Sequence, residues 1–340
     1  MKMIPLSVPN FNGNELQYVK KCIDTNWVSS SGKFVVDFED AICSYTGAKH
    51  AVACVNGTAG LQIALRLAGA GFNDEVIVPT LTFIAPINVV RYLNAEPVFM
   101  DCDDFMNIDS EKVNEFCKKE CRITKYGLQN KNTKRIVKAI IPVHIFGNPC
   151  DMPAIMDTAK KYNLKVIEDA TESLGSYYKN GTYKNKFTGT IGDFGVFSFN
   201  GNKIITTGGG GMIVTNNKKH AAKAKYLTNQ AKDDSVRYIH NEIGYNFRLT
   251  NLQSALGIAQ LEQLETFIKT KKRNYELYKK NLDNIEGLTL LEVPSDTRPN
   301  YWFYSLMVDK NKYGLSNEEL MLKLGEMGIQ TRPVWYLNHL

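Results

Sequence analysis

The feature that most restricts this chain is an alternation, over its first two hundred residues, of short apolar runs rich in β-branched residues with longer amphipathic segments. Strand-like runs lie at 50–55, 75–78, 97–100, 136–143, 166–168, 195–199 and 212–215. Runs apolar on both alternating positions suit strands covered on two faces, and the intervals between them hold helices. The pattern predicts an α/β sheet with helices on both sides. Phe34, Phe38 and Ile42 recur at helical spacing before Gly47, and Leu61, Leu65 and Ala68 do so before Gly69. Each glycine stands where a helix end favours a left-handed residue.

From Leu249 the character changes to one long helical pattern, LTNLQSALGIAQLEQLETFIKTKKRNYELYKKNL, with Leu252, Leu256, Ala259, Leu261 and Leu264 on its apolar face. It predicts a bridge into a second, smaller α+β domain holding strand-like LTLLEV and YWFYSLMV, a helix near 317–327, and GIQTRPVW. The expected division is a large domain over 1–245 and a small one over 246–340. The chain halts at Asn338, His339 and Leu340 with no finishing element, so the small domain is expected to be truncated.

At 340 residues the chain accommodates such a pair of domains. No apolar run approaches the roughly 18 residues a membrane span needs, and the N-terminus lacks the basic-then-apolar order of a signal peptide. A cytoplasmic protein with no membrane partner is expected. Seven scattered cysteines without a CxxC pair argue against a disulfide framework and a zinc site; Cys117 and Cys121 share helical spacing but have no neighbouring histidine, so no metal is expected. The formal charge of +6 owes much to residues 118–138, where bases heavily outnumber acids. Without an aromatic ladder or a nucleic-acid motif, that stretch reads as a solvated helix end and loop.

Four places can carry chemistry. VIEDATES (166–173) ends an apolar strand in Asp169, at the carboxyl edge where open sheets place ligands; a cation site and a helix cap are equal readings there. VNGTAGLQIAL (55–65) runs strand, Gly57, then Thr58 and Ala59 at a helix start, whose free N–H groups suit a phosphate. It is neither a GxGxxG nor a P-loop motif. Phe83, in LTFIAPINVV, offers an aromatic face near the same edge or plain core packing. Lys203, in FSFNGNKIITTGGGGMIVT (197–215), reads alone as a phosphate clamp, a covalent catalyst or a turn charge. Together, an edge carboxylate, a phosphate turn, an aromatic and a lysine form the set that pyridoxal phosphate needs.

These pieces, in order with NWVSSSGKFVVDFED, VPTLTFIA, PVHIFGNPCDM, GYNFRLTNLQSALGIAQL and GIQTRPVW, resemble the DegT, DnrJ, EryC1 and StrS family of pyridoxal-phosphate sugar aminotransferases. The resemblance implies the aspartate aminotransferase fold: a three-layer large domain around a mixed, mostly parallel seven-stranded sheet. It implies Lys203 as Schiff-base lysine and proton shuttle, Asp169 on the pyridine nitrogen, Glu172 facing the phenolic oxygen and Phe83 stacked on the ring. Gly57, Thr58, Ala59 and Ser198 would hold the phosphate, with Asn246 reaching it from the other subunit of a homodimer. Glu172 departs from the glutamine or histidine common at its place, and a carboxyl there must be protonated or paired beside a phenolate.

The resemblance further implies transfer of an amino group from L-glutamate to a nucleotide-linked keto-sugar. Lys203 favours this over the dehydratase branch, which carries histidine at that place. The run SFNGNKIITTGGGG resembles the branch acting on UDP-linked 4-keto-6-deoxy-N-acetylhexosamine in bacillosamine and legionaminic acid pathways; GDP- or dTDP-linked sugars, or a non-catalytic role, are the alternatives. Trp27, Ser29, Ser30, Arg248, Arg332 and Tyr336 are candidates for sugar and diphosphate contacts, the arginines as bidentate donors. Bracing of the long helix is the competing role for Arg248. His144 and His240 are conceivable acid or base groups, but the lysine already fills that place.

Overall fold

The structure, a computed structural model, describes residues 3–234 and 236–339. Its centre is built from strands β1 (His50–Cys54), β2 (Glu75–Pro79), β3 (Glu96–Met100), β4 (Cys121–Thr124), β5 (Gly127–Asn130), β6 (Ile136–Ile140), β7 (Lys165–Asp169), β8 (Tyr177–Tyr178), β9 (Phe194–Ser198) and β10 (Gly211–Thr215). Seven of them form one path in the order β1-β10-β9-β7-β6-β2-β3. All seven runs expected for the large domain's sheet appear in that path. The pairs β2/β3, β2/β6, β6/β7 and β7/β9 are parallel, whereas β10 is antiparallel to both β1 and β9.

Helices cover both faces because the strands are apolar on both. They are α1 (Glu15–Asp24), α2 (Lys33–Thr46), α3 (Gly57–Leu67), α4 (Ala85–Tyr92), α5 (Ser110–Lys119), α6 (Met152–Tyr162), α7 (Lys218–Thr228), α8 (Asn251–Leu261) and α9 (Leu264–Leu282). Val76, Val78, Phe194 and Val196 turn one way into a core with Leu61 and Leu65 of α3 and Leu227 of α7. Ile77, Ile140 and Val166 turn the other way, onto Val113 of α5 and Ile155 of α6. Phe197 and Met212 share that second side with Phe38 and Ile42 of α2 and with Leu264 and Ile268 of α9. The alternation has the period of two that extended chain imposes. Gly47 and Gly69 adopt the expected left-handed conformation, at φ 75° and 85°.

The structure corrects three expectations. The basic stretch 118–138 is not a loop: after α5 it forms the hairpin β4/β5, and β5 pairs with the start of β6. The long helix breaks between Leu261 and Leu264, where the Gln263 amide donates to Glu15 Oε1 at 2.6 Å and Glu262 takes bonds from Asn14 and Tyr18. Its most buried positions in α8 are not the leucines but Asn251, Ser254, Ala255, Gly257, Ala259 and Gln260, because Phe38 lies so close that only a glycine fits at 257. YWFYSLMV is strand only at its end. β11 (Leu288–Leu290) pairs with β13 (Leu306–Val308), while β12 (Thr297–Arg298) crosses back to β8. Helices α10 (Lys310–Tyr313) and α11 (Asn317–Glu326) follow, the second closed by a Ser316–Glu319 capping box.

Candidate active site

The carboxyl ends of β7 and β9 lie side by side in register, Asp169 opposite Val196, and the chemistry collects there. Asp169 is the last residue of β7 and is 3% exposed. No helix follows it, so the helix-cap reading falls; its Oδ1 instead accepts the Thr171 N–H at 3.1 Å. Burial pushes its carboxyl above the ordinary range, with the Thr171 bonds, Lys203 and His144 acting against that push. No cation stands within ion-pair distance of it among the described residues. A buried carboxyl with no counter-ion among the described residues could hold a bound cation such as a protonated ring nitrogen.

Lys203 lies in the loop between β9 and β10, its side chain only 13% exposed. The Nζ atom is 3.5 Å from Glu172 Oε1 and 4.1 Å from the centre of the Trp302 ring. The other oxygen of Glu172 accepts the Phe146 N–H at 2.8 Å. Phe146 points that N–H inward from a left-handed backbone, φ 56°, a conformation that costs on the order of 1 kcal/mol and persists where surroundings enforce it. Desolvation carries the Glu172 carboxyl up to about 7, offset in part by Lys203 and by the Phe146 N–H. Lys203 is the cation that this acid faces.

The phosphate turn sits against the same strand ends. Asn56 caps α3, accepting the Ala59 N–H at 2.8 Å on its side chain and the Gly60 N–H at 3.1 Å on its carbonyl. Of the helix's first four N–H groups, those of Gly57 and Thr58 are left for an anion. A Cβ on Gly57 would lie 2.9 Å from Thr171 Cγ2 and 3.1 Å from Ser198 Cβ, so the turn, the residue bonded to Asp169 and Ser198 are in contact. Gly211 explains part of the tetraglycine: a Cβ there would lie within 2.5–2.8 Å of Asn56 and Gly57 backbone atoms.

Phe83 is half exposed and meets Trp335 edge-on, ring centres 6.1 Å apart; Trp335 in turn stacks on Phe146 at 5.4 Å. This aromatic chain joins Phe83 to the lysine pocket. Asn246 is exposed and forms a bridge with Asn229, while the next carbonyl, that of Phe247, accepts the Val55 N–H at 2.8 Å beside the phosphate turn.

The candidate substrate residues are scattered. Trp27 is 57% exposed, and the Trp27 and Ser29 carbonyls are tied to Asn251, with Ser30 following. Arg248 keeps its Nε buried with no partner among the described residues, so it does not brace α8 through that atom. Arg332 and Tyr336 are exposed, and among the described residues Arg332 bonds only its neighbour's carbonyl, of Thr331. His144 is enclosed: its Nε2 is 3.0 Å from Glu168 Oε2 and its Nδ1 accepts the Cys150 N–H, while Glu168 also takes three backbone N–H groups. Asn300, Trp302, Phe146 and Trp335 are pocket residues that sequence reasoning passes over.

The profile of the DegT/DnrJ/EryC1/StrS aminotransferase family matches residues 9–340. The chain is 41% identical to a GDP-perosamine synthase of Caulobacter vibrioides, over 99% of this chain and 85% of that one. It is 39% identical to a GDP-perosamine synthase of Escherichia coli O157:H7, over 100% and 86%. A DegT DnrJ EryC1 StrS aminotransferase from Brucella abortus superposes with a TM-score of 0.85 at 28% identity, covering 96% of this chain and 82% of that one. These relatives are named for a GDP-linked sugar, whereas the expected likeness to the UDP-bacillosamine branch rested on one glycine-rich run. The chain belongs to the DegT/DnrJ/EryC1/StrS family of pyridoxal-phosphate-dependent sugar aminotransferases.

Proposed function

We propose that this chain moves the amino group of L-glutamate to C4 of a GDP-linked 4-keto-6-deoxy sugar. The observation that carries the chemistry is Lys203 Nζ held 3.5 Å from Glu172 beside the buried Asp169. The choice of GDP rests on two relatives named for a GDP-linked amino sugar. Asp169 would hold the ring nitrogen, Glu172 the phenolic oxygen, and Gly57, Thr58 and Ser198 the phosphate, with Phe83 toward the ring; the Ala59 N–H, expected to join them, is taken by the Asn56 cap. Bound there, pyridoxal phosphate supplies an aldehyde that condenses with amines and a ring that delocalises the electron pair left at Cα.

The Lys203 amine would act as the base that takes the proton from Cα of glutamate and, in the second half of the reaction, as the acid that delivers a proton to C4 of the sugar. Glu172 limits where that amine can sit. The aromatic set Phe83, Trp335 and Phe146 keeps water from one side of the pocket. Arg248 and Arg332 are assigned to the sugar diphosphate, Trp27, Ser29, Ser30 and Tyr336 to the sugar and its surroundings, and Asn246 to the phosphate of a second copy in a homodimer. Residues 1–245 and 246–340 act as large and small domains.

The test is turnover of purified protein with glutamate and a panel of GDP-, UDP- and dTDP-linked 4-keto-6-deoxy sugars. Preference for the GDP sugar supports the assignment, and faster turnover of either other class overturns it. The lysine is tested separately by Lys203→Ala, which loses the visible band of lysine-linked cofactor.

A further inference from the structure

We propose that Trp302 is a positioning residue for proton transfer, its indole face holding the Lys203 side chain against Glu172 while Asn300 fixes the Trp302 backbone. The inference rests on the reading of Lys203 given above.

A lysine side chain has four rotatable carbon–carbon bonds and no planar fork to fix it, so an amine that must return repeatedly to one carbon needs walls. Two are present. Glu172 stands 3.5 Å from Nζ, and the Trp302 ring centre 4.1 Å. The indole face attracts the ammonium formed when the amine accepts its proton, an effect that grows in a dry pocket. Trp302 is 2% exposed, and its Nε1–H donates at 2.7 Å to the carbonyl of Asn202, the residue before the lysine. One side chain thus touches both the lysine amine and the lysine's own backbone.

Asn300 is fully buried and holds this arrangement. Its Nδ2 donates to the Glu172 carbonyl at 2.8 Å and to the Leu174 carbonyl at 3.0 Å. Its Oδ1 accepts the Trp302 N–H at 2.9 Å, and its own N–H donates to Ser176 Oγ. Gly147, at φ 91°, leaves the space that Asn300 fills: a Cβ there would stand 1.9 Å from Asn300 Oδ1. The tripeptide 300–302 therefore links the backbone of the acid to the side chain of the base. Trp302 also packs with Leu81, Phe146 and Leu291, which ties the C-terminal segment to the pocket.

The experiment compares Trp302→Phe and Trp302→Leu with wild type, using glutamate carrying deuterium or hydrogen at Cα. Both variants should keep the visible cofactor band. For Trp302→Leu, kcat should fall on the order of tenfold with KM for glutamate little changed, and the isotope effect should grow as proton transfer slows. Trp302→Phe, which keeps a ring face, should recover most of the rate. A fall in kcat with an unchanged isotope effect, or equal losses in Phe and Leu, overturns the proposal.

A cofactor-free readout is the urea unfolding of Lys203→Met, Trp302→Leu and the double variant. Coupling predicts a double loss smaller than the sum of the single losses; strict additivity overturns it. If Trp302→Leu does not fold, Trp302→Met, which also lacks a ring face, takes its place in the same cycle. Retention of the visible band in Lys203→Ala would instead overturn the underlying reading, so the two failures are distinguishable.

Discussion

Glu172 and Lys203 face each other across 3.5 Å, with the acid 5% exposed and its carboxyl raised to about 7, chiefly by burial. The folded chain therefore holds the Glu172 proton more tightly than the unfolded chain, whose carboxyl titrates near its ordinary 4.5. Stability falls as pH rises from about 4.5 to about 7 and the contribution is flat beyond, a total of roughly 3 kcal/mol from a single group. Glu172→Gln in the cofactor-free protein should flatten that dependence. Urea unfolding at pH 5 and pH 8 measures it, and parallel losses in variant and wild type would refute the assignment.

Two glycines of the same loop should respond differently to alanine. At Gly211 a Cβ meets Asn56 and Gly57 backbone atoms at 2.5–2.8 Å, which cannot swing aside as a side chain does. Gly211→Ala should cost about 1–3 kcal/mol and weaken cofactor binding, because the turn that offers its N–H groups must shift. At Gly209 nothing stands nearer than Gln253 Nε2 at 4.0 Å. Gly209→Ala should bind cofactor as wild type does, in a titration of the visible band.

Asn251 fastens the loop that carries Trp27, Ser29 and Ser30. Its side chain donates to the Trp27 carbonyl at 2.6 Å and accepts the Phe34 N–H at 3.0 Å, and its backbone N–H donates to the Ser29 carbonyl at 2.7 Å. Asn251→Ala removes these two side-chain bonds and a third, from Nδ2 to Cys22 Sγ at 3.3 Å, from a buried place and should cost about 2–3 kcal/mol. If the loop contacts the sugar, KM for the nucleotide sugar rises severalfold while cofactor affinity holds. A normal KM would remove the loop from the substrate site.

Asn56→Ala deletes the cap of α3 and should destabilise the protein by about 1 kcal/mol. The larger consequence is expected in cofactor affinity, since a frayed first turn no longer aims the Gly57 and Thr58 N–H groups. Thermal unfolding and band titration, run together, separate the two effects.

Much of the sheet is legible in the sequence because its strands are short, apolar on both faces and punctuated by helices. The run at 136–143 overshoots for a physical reason: Ile141 still donates to the Ile77 carbonyl and Val143 bridges Asp169, although regular pairing stops at Ile140. The hairpin in the basic stretch escapes notice because its strands are four residues each and polar on one side. Lys203, Asp169 and the Gly57 turn are legible because each sits beside its own strand. Asn300 and Trp302 are not, since their partners lie a hundred residues or more away. The strand-like run YWFYSLMV that holds Trp302 marks the segment for burial but not the partners it meets.

The reversed strand β10 has a consequence for how this site can vary. Ser198 is paired with Gly211 across the β9/β10 register, and Gly211 in turn abuts the Asn56–Gly57 backbone. The loop bearing Lys203 is thus a span fixed at both abutments. Lengthening it by one residue would either pull the lysine off its mark or slide β10 by one place, turning Met212 and Ile213 to the wrong faces. Exchange of side chains along that span is open to drift, whereas insertion and deletion are closed.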